Sequence, residues 1–315
     1  MTTPSAAMPR EPSAEALPGP LLRAFLATRP AFLSVTLVGV VLGLACAWRE
    51  AHAFHFATAA VTLIFALAAH AGANVVNDFH DRDTDAINTE RLFPFTGGSR
   101  FIQNGVLSPR FIALLGYGLL ASVIPAGLWL MSQVGSGLMG IGLAGLLLGW
   151  AYSAPPLRLA ARGLGEFAIA LSWALVVVGS DFVQRGALAA VPVWAGLGFG
   201  LMVANLLYIN QFPDATADGL AGKRTVVVRL GRQRAVKGYG LIALLAATAV
   251  VAGIAAGALP LWSLVSLAGL VPALKAYGVL AQNAEQPAAL RPAIQATIGA
   301  AHLFGLLLAA ALFFA

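Results

Sequence analysis

Residues 56–85 read FATAAVTLIFALAAHAGANVVNDFHDRDTD. The first part, up to Ala73, is almost wholly apolar, while the last nine residues, Asn77–Asp85, hold five Asp or Asn. An apolar stretch of this kind is long enough to cross a bilayer, which takes about 20 residues of helix. The acids that end it so abruptly need a physical account.

The rest of the chain agrees with a lipid solvent. Of its 315 residues 59% are hydrophobic and 10% charged, whereas a soluble domain carries about 25% charged residues. Its 34 glycines also suit membrane helices, where Gly is frequent. The single cysteine, Cys46, lies in an apolar run and has no internal disulfide partner. The opening MTTPSAAMPREPSAEALPGP has no apolar core of signal-peptide length. Residues 1–20 are therefore expected to be a disordered cytosolic tail ahead of one transmembrane domain over 21–315.

Apolar runs at roughly 31–48, 54–76, 111–131, 135–152, 165–184, 189–212, 237–257, 259–281 and 291–314 predict nine crossings. Lipid offers no partner to an open sheet edge, so the expected fold is an all-α integral membrane protein. With nine crossings, every Lys and Arg except Arg49 and Arg185 falls on the side of the N-terminus. The positive-inside rule makes that side the cytoplasm and puts the C-terminus outside. Two long loops, 86–110 and 219–236, then face the cytoplasm, and long loops in a compact fold are commonly functional.

Asn77, Asp81 and Asp85 are spaced i, i+4, i+8 and share one helical face, whereas Asp78 and Asp83 point elsewhere. The spacing recurs in NQFPDATAD, residues 210–218, as Asn210, Asp214 and Asp218. Both copies end an even-numbered crossing and open onto a basic loop, an internal pseudo-repeat. Pro213 predicts a bend or an unwound turn in the second copy. Four convergent carboxylates repel one another. A hard cation such as Mg²⁺ relieves this, held by one or two carboxylates and by substrate phosphates. Lys223 and Arg224 in AGKRTVVVRLG, and Arg91 and Arg100 in the first loop, add cations for a diphosphate.

Acids that merely solvate a helix end would not repeat with one spacing at two equivalent places. An ion-coupled transporter is the alternative from another class, since intramembrane acids mark ion pathways. Here the acids of both stripes sit at one side only, no chain of acids or bases continues to the other face, and the nearest candidate there, Asp181, is isolated. A CDP-alcohol phosphotransferase would need a longer acidic pattern with an Ala-Arg pair, which is absent. Nothing in the chain points to nucleic acid.

NDFHDRDTD, DATAD, GKRTVVVRLG and the Arg29-Pro30 pair before the first crossing together resemble the UbiA superfamily of intramembrane prenyltransferases. The resemblance covers nearly everything after residue 20. It implies nine helices around a central cavity capped by cytosolic loops. It also implies Mg²⁺-dependent transfer of a polyprenyl group from its diphosphate to an aromatic acceptor. The metal set carried over is Asn77, Asp81, Asp85, Asp214 and Asp218, with Asn210 matching Asn77. Lys223, Arg224, Arg91, Arg100 and Arg158 are expected at the diphosphate, and Tyr152 and Ser153 near the reacting allylic carbon. The catalytic set is then the four aspartates with Tyr152, whose ring suits an allylic cation. The run PFTGGSRFIQNGVLSP, residues 94–109, resembles the 1,4-dihydroxy-2-naphthoate branch, which serves menaquinone synthesis. YSAPPLRL resembles the chlorophyll- and homogentisate-type branches, so those acceptors and 4-hydroxybenzoate stay open. The expected location is a bacterial inner membrane with the active site cytosolic.

Overall fold

The computed structural model describes residues 10–315, and among them all regular structure is helical. A short helix α1 (Pro20–Ala27) leads into α2 (Pro30–Ala51) through Arg29, which is left-handed at φ 59°. Then come α3 (Phe56–Ile87), α4 (Pro109–Val134), α5 (Leu138–Ala151), α6 (Gly165–Arg185) and α7 (Ala190–Leu220). The chain ends with α8 (Val226–Leu230), α9 (Arg232–Ala255), α10 (Leu270–Asn283) and α11 (Arg291–Phe314). A 3-10 stretch, Leu261–Gly269, feeds α10. Helices α1, α2 and α4 each start on a proline, where its missing N–H costs nothing. Ser108 Oγ also caps α4, accepting the Phe111 N–H at 3.2 Å.

Among the described residues eight helical segments are long and apolar enough to cross a membrane, taking Leu261–Asn283 and Pro287–Phe314 as one segment each. The expected crossing at 135–152 is α5, a helix of 14 residues. At 1.5 Å per residue it spans about 21 Å, short of a hydrocarbon core of about 30 Å. The glycines at its start, Gly135 with φ 94° and Gly137, and the Ser153-Ala154-Pro155-Pro156 run after it confine the helix.

Helix α7 is the axis of the bundle, with two thirds of its apolar window buried (67%) against 22% for α4. It packs against α6, α9, α11 and α2, with Phe199, Phe304, Leu42 and Trp173 in the shared core. Small residues let these backbones approach closely. A Cβ at Gly43 of α2 would collide with the Val177 carbonyl of α6, and one at Gly200 of α7 with the Ala170 carbonyl. Leu114, Leu128, Leu143, Leu244 and Leu274 stand exposed on the outside, the surface a bilayer would cover.

The chain does not unwind at Pro213, because α7 runs unbroken to Leu220. Proline removes one hydrogen bond, the one an N–H at 213 would give the Ile209 carbonyl, and here the buried Pro213 is held in the helix by the neighbours packed around it. The tail expected to be disordered lies, at residues 1–9, outside the described residues. From Arg10 the chain runs over the loop between α3 and α4. There the Glu11 carboxylate meets Arg91 at 2.7 Å, Arg100 at 3.5 Å and Asn104 at 3.2 Å.

Candidate active site

Helix α3 stays regular past its apolar run to Ile87, so Asn77, Asp81 and Asp85 face one cavity. Asn77 Nδ2 donates to Asp81 Oδ2 at 2.7 Å and to Ser153 Oγ at 2.8 Å, which brings the turn after α5 to the motif. Asp78 lies off this face, buried, and accepts the Ser99 N–H at 3.2 Å, while Asp83 is exposed. The loop 88–108 closes over the carboxylates at Gly97 and Gly98, both at φ 74°. Only glycine adopts that conformation without cost, and a Cβ on Gly98 would strike the Asp85 carboxylate.

The second stripe, Asn210, Asp214 and Asp218, lines the same cavity from α7. Asn88, on the loop after α3, donates from Nδ2 to Asp214 Oδ1 at 2.6 Å. Past Leu220 the chain turns at Gly222, φ 75°, and the Lys223 N–H returns to the Asp218 carbonyl at 2.8 Å. That turn puts Lys223 Nζ between the stripes, 3.1 Å from Asp81 Oδ2 and 3.1 Å from Asp218 Oδ1. Burial opposes the ammonium charge, but the two carboxylates outweigh it and push the Lys223 pKa above its ordinary value.

The cavity measures about 320 Å³. Its acidic end grades into a wall of Phe32, Val35, Leu120, Leu146, Ile169 and Val203. Tyr152 lines it, as do His70 and Trp173, which meet edge to face at 4.9 Å. His70 Nδ1 lies 2.8 Å from Thr36 Oγ1, so that histidine is a packed cavity residue. Arg29 is the guanidinium among the lining residues; one of its nitrogens donates to the Phe95 carbonyl at 3.1 Å, and its buried Nε has no partner.

Both acid stripes, Tyr152 and Lys223 are thus brought together. Ser153 touches the site through Asn77 without lining the cavity. Arg91, Arg100, Arg158 and Arg224 do not line it. Arg91 and Arg100 turn toward Glu11, and Arg158 and Arg224 face a separate pocket. Sequence reasoning missed Asn88, Arg29 as a lining residue, and the close approach of Gly98. The Gly-Gly pair inside a loop was the available signal for the last of these.

The donor set fits Mg²⁺. Every candidate ligand offers a hard oxygen, as Mg²⁺ prefers, and Asn210 Oδ1 is buried in the cavity wall without a hydrogen-bond partner. Among the described residues, no three His, Cys, Asp or Glu converge tightly enough to hold an ion unaided. A small cation that keeps most of its ligand places for water and phosphate oxygens meets that geometry.

Comparison with known proteins places these observations. Residues 33–298 match the UbiA prenyltransferase family. The chain is 28% identical over 222 residues to UbiA prenyltransferase domain-containing protein 1 of Dictyostelium discoideum, covering 67% of this chain and 64% of that protein. It is 30% identical over 258 residues to the 1,4-dihydroxy-2-naphthoate octaprenyltransferase of Mycobacterium tuberculosis, covering 79% of this chain and 83% of that one. The structure of a UbiA homolog from Archaeoglobus fulgidus bound to GPP and Mg²⁺ shares the fold at a TM-score of 0.57. That likeness covers 91% of this chain and 99% of that one at 14% identity.

Proposed function

The chain belongs to the UbiA prenyltransferase family, and on that premise we propose that it transfers a polyprenyl group from its diphosphate to 1,4-dihydroxy-2-naphthoate, a step of menaquinone synthesis. One observation carries the reading: two Asn/Asp stripes and Lys223 meet at one end of a cavity whose remaining wall is apolar. The diphosphate head belongs at the acidic end with Mg²⁺, and the isoprenoid tail along the apolar wall. Relatives that carry the naphthoate name and span most of this chain support the acceptor.

Asn77, Asp81 and Asp85 would hold one Mg²⁺ and Asp214 and Asp218 another, with Asn210 beside them. Mg²⁺ bound there supplies charge neutralisation that makes the diphosphate a leaving group. Lys223 donates hydrogen bonds to the departing oxygens, where charge develops. Tyr152 presents its ring to the allylic cation, and the apolar wall keeps water from it. Arg29 holds the acceptor carboxylate, since its Nε is buried and unpaired. Helix α5 is read as the fourth of nine crossings, which sets the acid motifs and the N-terminus on the cytosolic side.

Purified protein given a labelled prenyl diphosphate and Mg²⁺ should extend dihydroxynaphthoate in preference to 4-hydroxybenzoate, homogentisate or chlorophyllide offered in parallel. Preferential extension of another of these acceptors removes the naphthoate reading. Failure to release diphosphate with any of them removes prenyl transfer itself.

A further inference from the structure

A second pocket shares Lys223 with the active-site cavity. It is a pocket of about 270 Å³ whose lining includes Arg158, Arg162, Lys223, Arg224 and Arg229 and no acidic residue. Lys223 lines both spaces. We propose that this pocket is an anion subsite that receives inorganic diphosphate as it leaves the active site. The proposal rests on the prenyl-transfer reading above.

The pocket is built, not a chance crowding of surface cations. Its two walls, the turn after α5 and the turn after α7, are stitched together by the Arg224 N–H to the Ala161 carbonyl at 2.7 Å. Arg229 ties them again, donating from Nη2 to the Arg162 carbonyl and from Nε to the Arg224 carbonyl, each at 2.8 Å. Arg162 Nη2 donates to the Pro156 carbonyl at 2.7 Å. Arg229 and Arg162 therefore spend hydrogen bonds on the frame. Arg158 and Arg224 are exposed and make no side-chain hydrogen bond or ion pair within the described residues, so both guanidinium forks are open to an anion. Guanidinium forks match phosphate oxygens in shape and charge.

Position gives the anion its identity. After bond cleavage the diphosphate sits among four carboxylates, with Lys223 as the nearest ammonium. The arginines lie just beyond that same ammonium, toward the outside. A product handed from one lysine to a group of arginines moves away from acids and into solvent. An anionic lipid headgroup offers the same phosphate chemistry, so the two sources are separated by the experiment.

The test is calorimetric binding of inorganic diphosphate to the full chain in phosphatidylcholine nanodiscs with EDTA. Without metal the acid-lined cavity repels the ligand, so binding reports the arginine pocket. The wild type should bind, and the double variant Arg158→Gln/Arg224→Gln should lose at least tenfold in affinity. Neither side chain braces another group, so the variant should fold, and an unchanged melting temperature checks this. Absent wild-type binding, or equal binding by the variant, overturns the proposal. In discs with phosphatidylglycerol, unchanged affinity supports diphosphate as the occupant. A fall to the variant's level assigns the pocket to lipid headgroups and overturns the product reading. During turnover, the inhibition constant of added diphosphate should rise in the double variant by a larger factor than the KM of the prenyl donor. An equal or larger rise in KM overturns the product role. The binding measurement uses neither donor nor acceptor, so its failure and a failure of prenyl transfer are read separately.

Discussion

Lys223 Nζ stands 3.1 Å from Asp81 Oδ2 and so ties the end of α3 to the turn after α7. Its other partner, Asp218, lies at the same distance on the second stripe. One ammonium thus offsets repulsion between two stripes that the fold brings together. When a diphosphate enters, the same group is placed to donate to it. Hydrogen bonds to charged groups contribute about 1.5–3 kcal/mol each. Lys223→Ala should therefore raise the KM for the prenyl donor by roughly ten- to a hundredfold. Steady-state kinetics with the acceptor saturating measure this, and an unchanged KM takes Lys223 off the diphosphate.

The two stripes are proposed to act as halves of one site, so loss of either should stop the chemistry. Asp81→Ala and Asp214→Ala should each lower transfer by about a thousandfold or more, the scale of losing a principal electrostatic element. Both side chains line a cavity and neither belongs to the apolar core. Membrane insertion should therefore persist, as membrane fractionation and gel filtration in detergent would record. Turnover near that of the wild type in either variant ends the two-stripe reading.

Asn88 is a residue that the motif spacing did not reveal. Its amide donates to Asp214 Oδ1 at 2.6 Å, while its backbone N–H donates to the Asp85 carbonyl at 3.4 Å. The Asn88 Oδ1 meanwhile accepts the Glu90 N–H at 3.1 Å, which fixes the amide plane. Asn88→Ala should free Asp214 to rotate and cost roughly ten- to a hundredfold in kcat/KM, the equivalent of one charge-assisted bond. The Mg²⁺ concentration giving half-maximal activity should rise with it. A fall in kcat/KM without that rise would mean that Asn88 acts only on the loop.

Much of this site could be read from spacing alone. A repeat of four residues puts Asn77, Asp81 and Asp85 on one helical face whatever surrounds the helix, and the same holds for Asn210, Asp214 and Asp218. The partners of loop residues obey no such rule. Arg91 and Arg100 look like phosphate ligands in the sequence, yet a carboxylate eighty residues upstream of Arg91, that of Glu11, takes both. Arg158 and Arg224 are likewise directed by how two turns pack, which places them outside the cavity. The apolar run at 135–152 is also longer than the helix α5 it contains, because the Gly and Pro residues that bound the helix are themselves compatible with an apolar window.

A last prediction concerns the clasp that holds the loop 88–108 over the site. Glu90 Oε2 accepts from Arg232 Nη2 at 2.5 Å and from Thr216 Oγ1 at 2.6 Å, joining that loop to α7 and α9. Burial alone would raise the Glu90 pKa, but the hydrogen bonds from Arg232 and Thr216 and the Arg232 charge hold it below the ordinary carboxylate value. A carboxylate depressed on folding contributes stability that is fully present above its unfolded pKa and is lost as pH falls through its lower folded one. Glu90→Gln should therefore lower the melting temperature at pH 7, by about 1–3 °C for a pair that is partly open to solvent at Glu90. The gap between wild type and variant should close as the pH drops below about 4. Because Asn88 sits two residues from the clasp and holds Asp214, the variant should also lose activity at pH 7 by a few fold. Thermal unfolding in detergent across that pH range reads the first effect. A gap that stays constant down to pH 3 would show that the glutamate's charge contributes nothing and that the clasp rests on Thr216 alone.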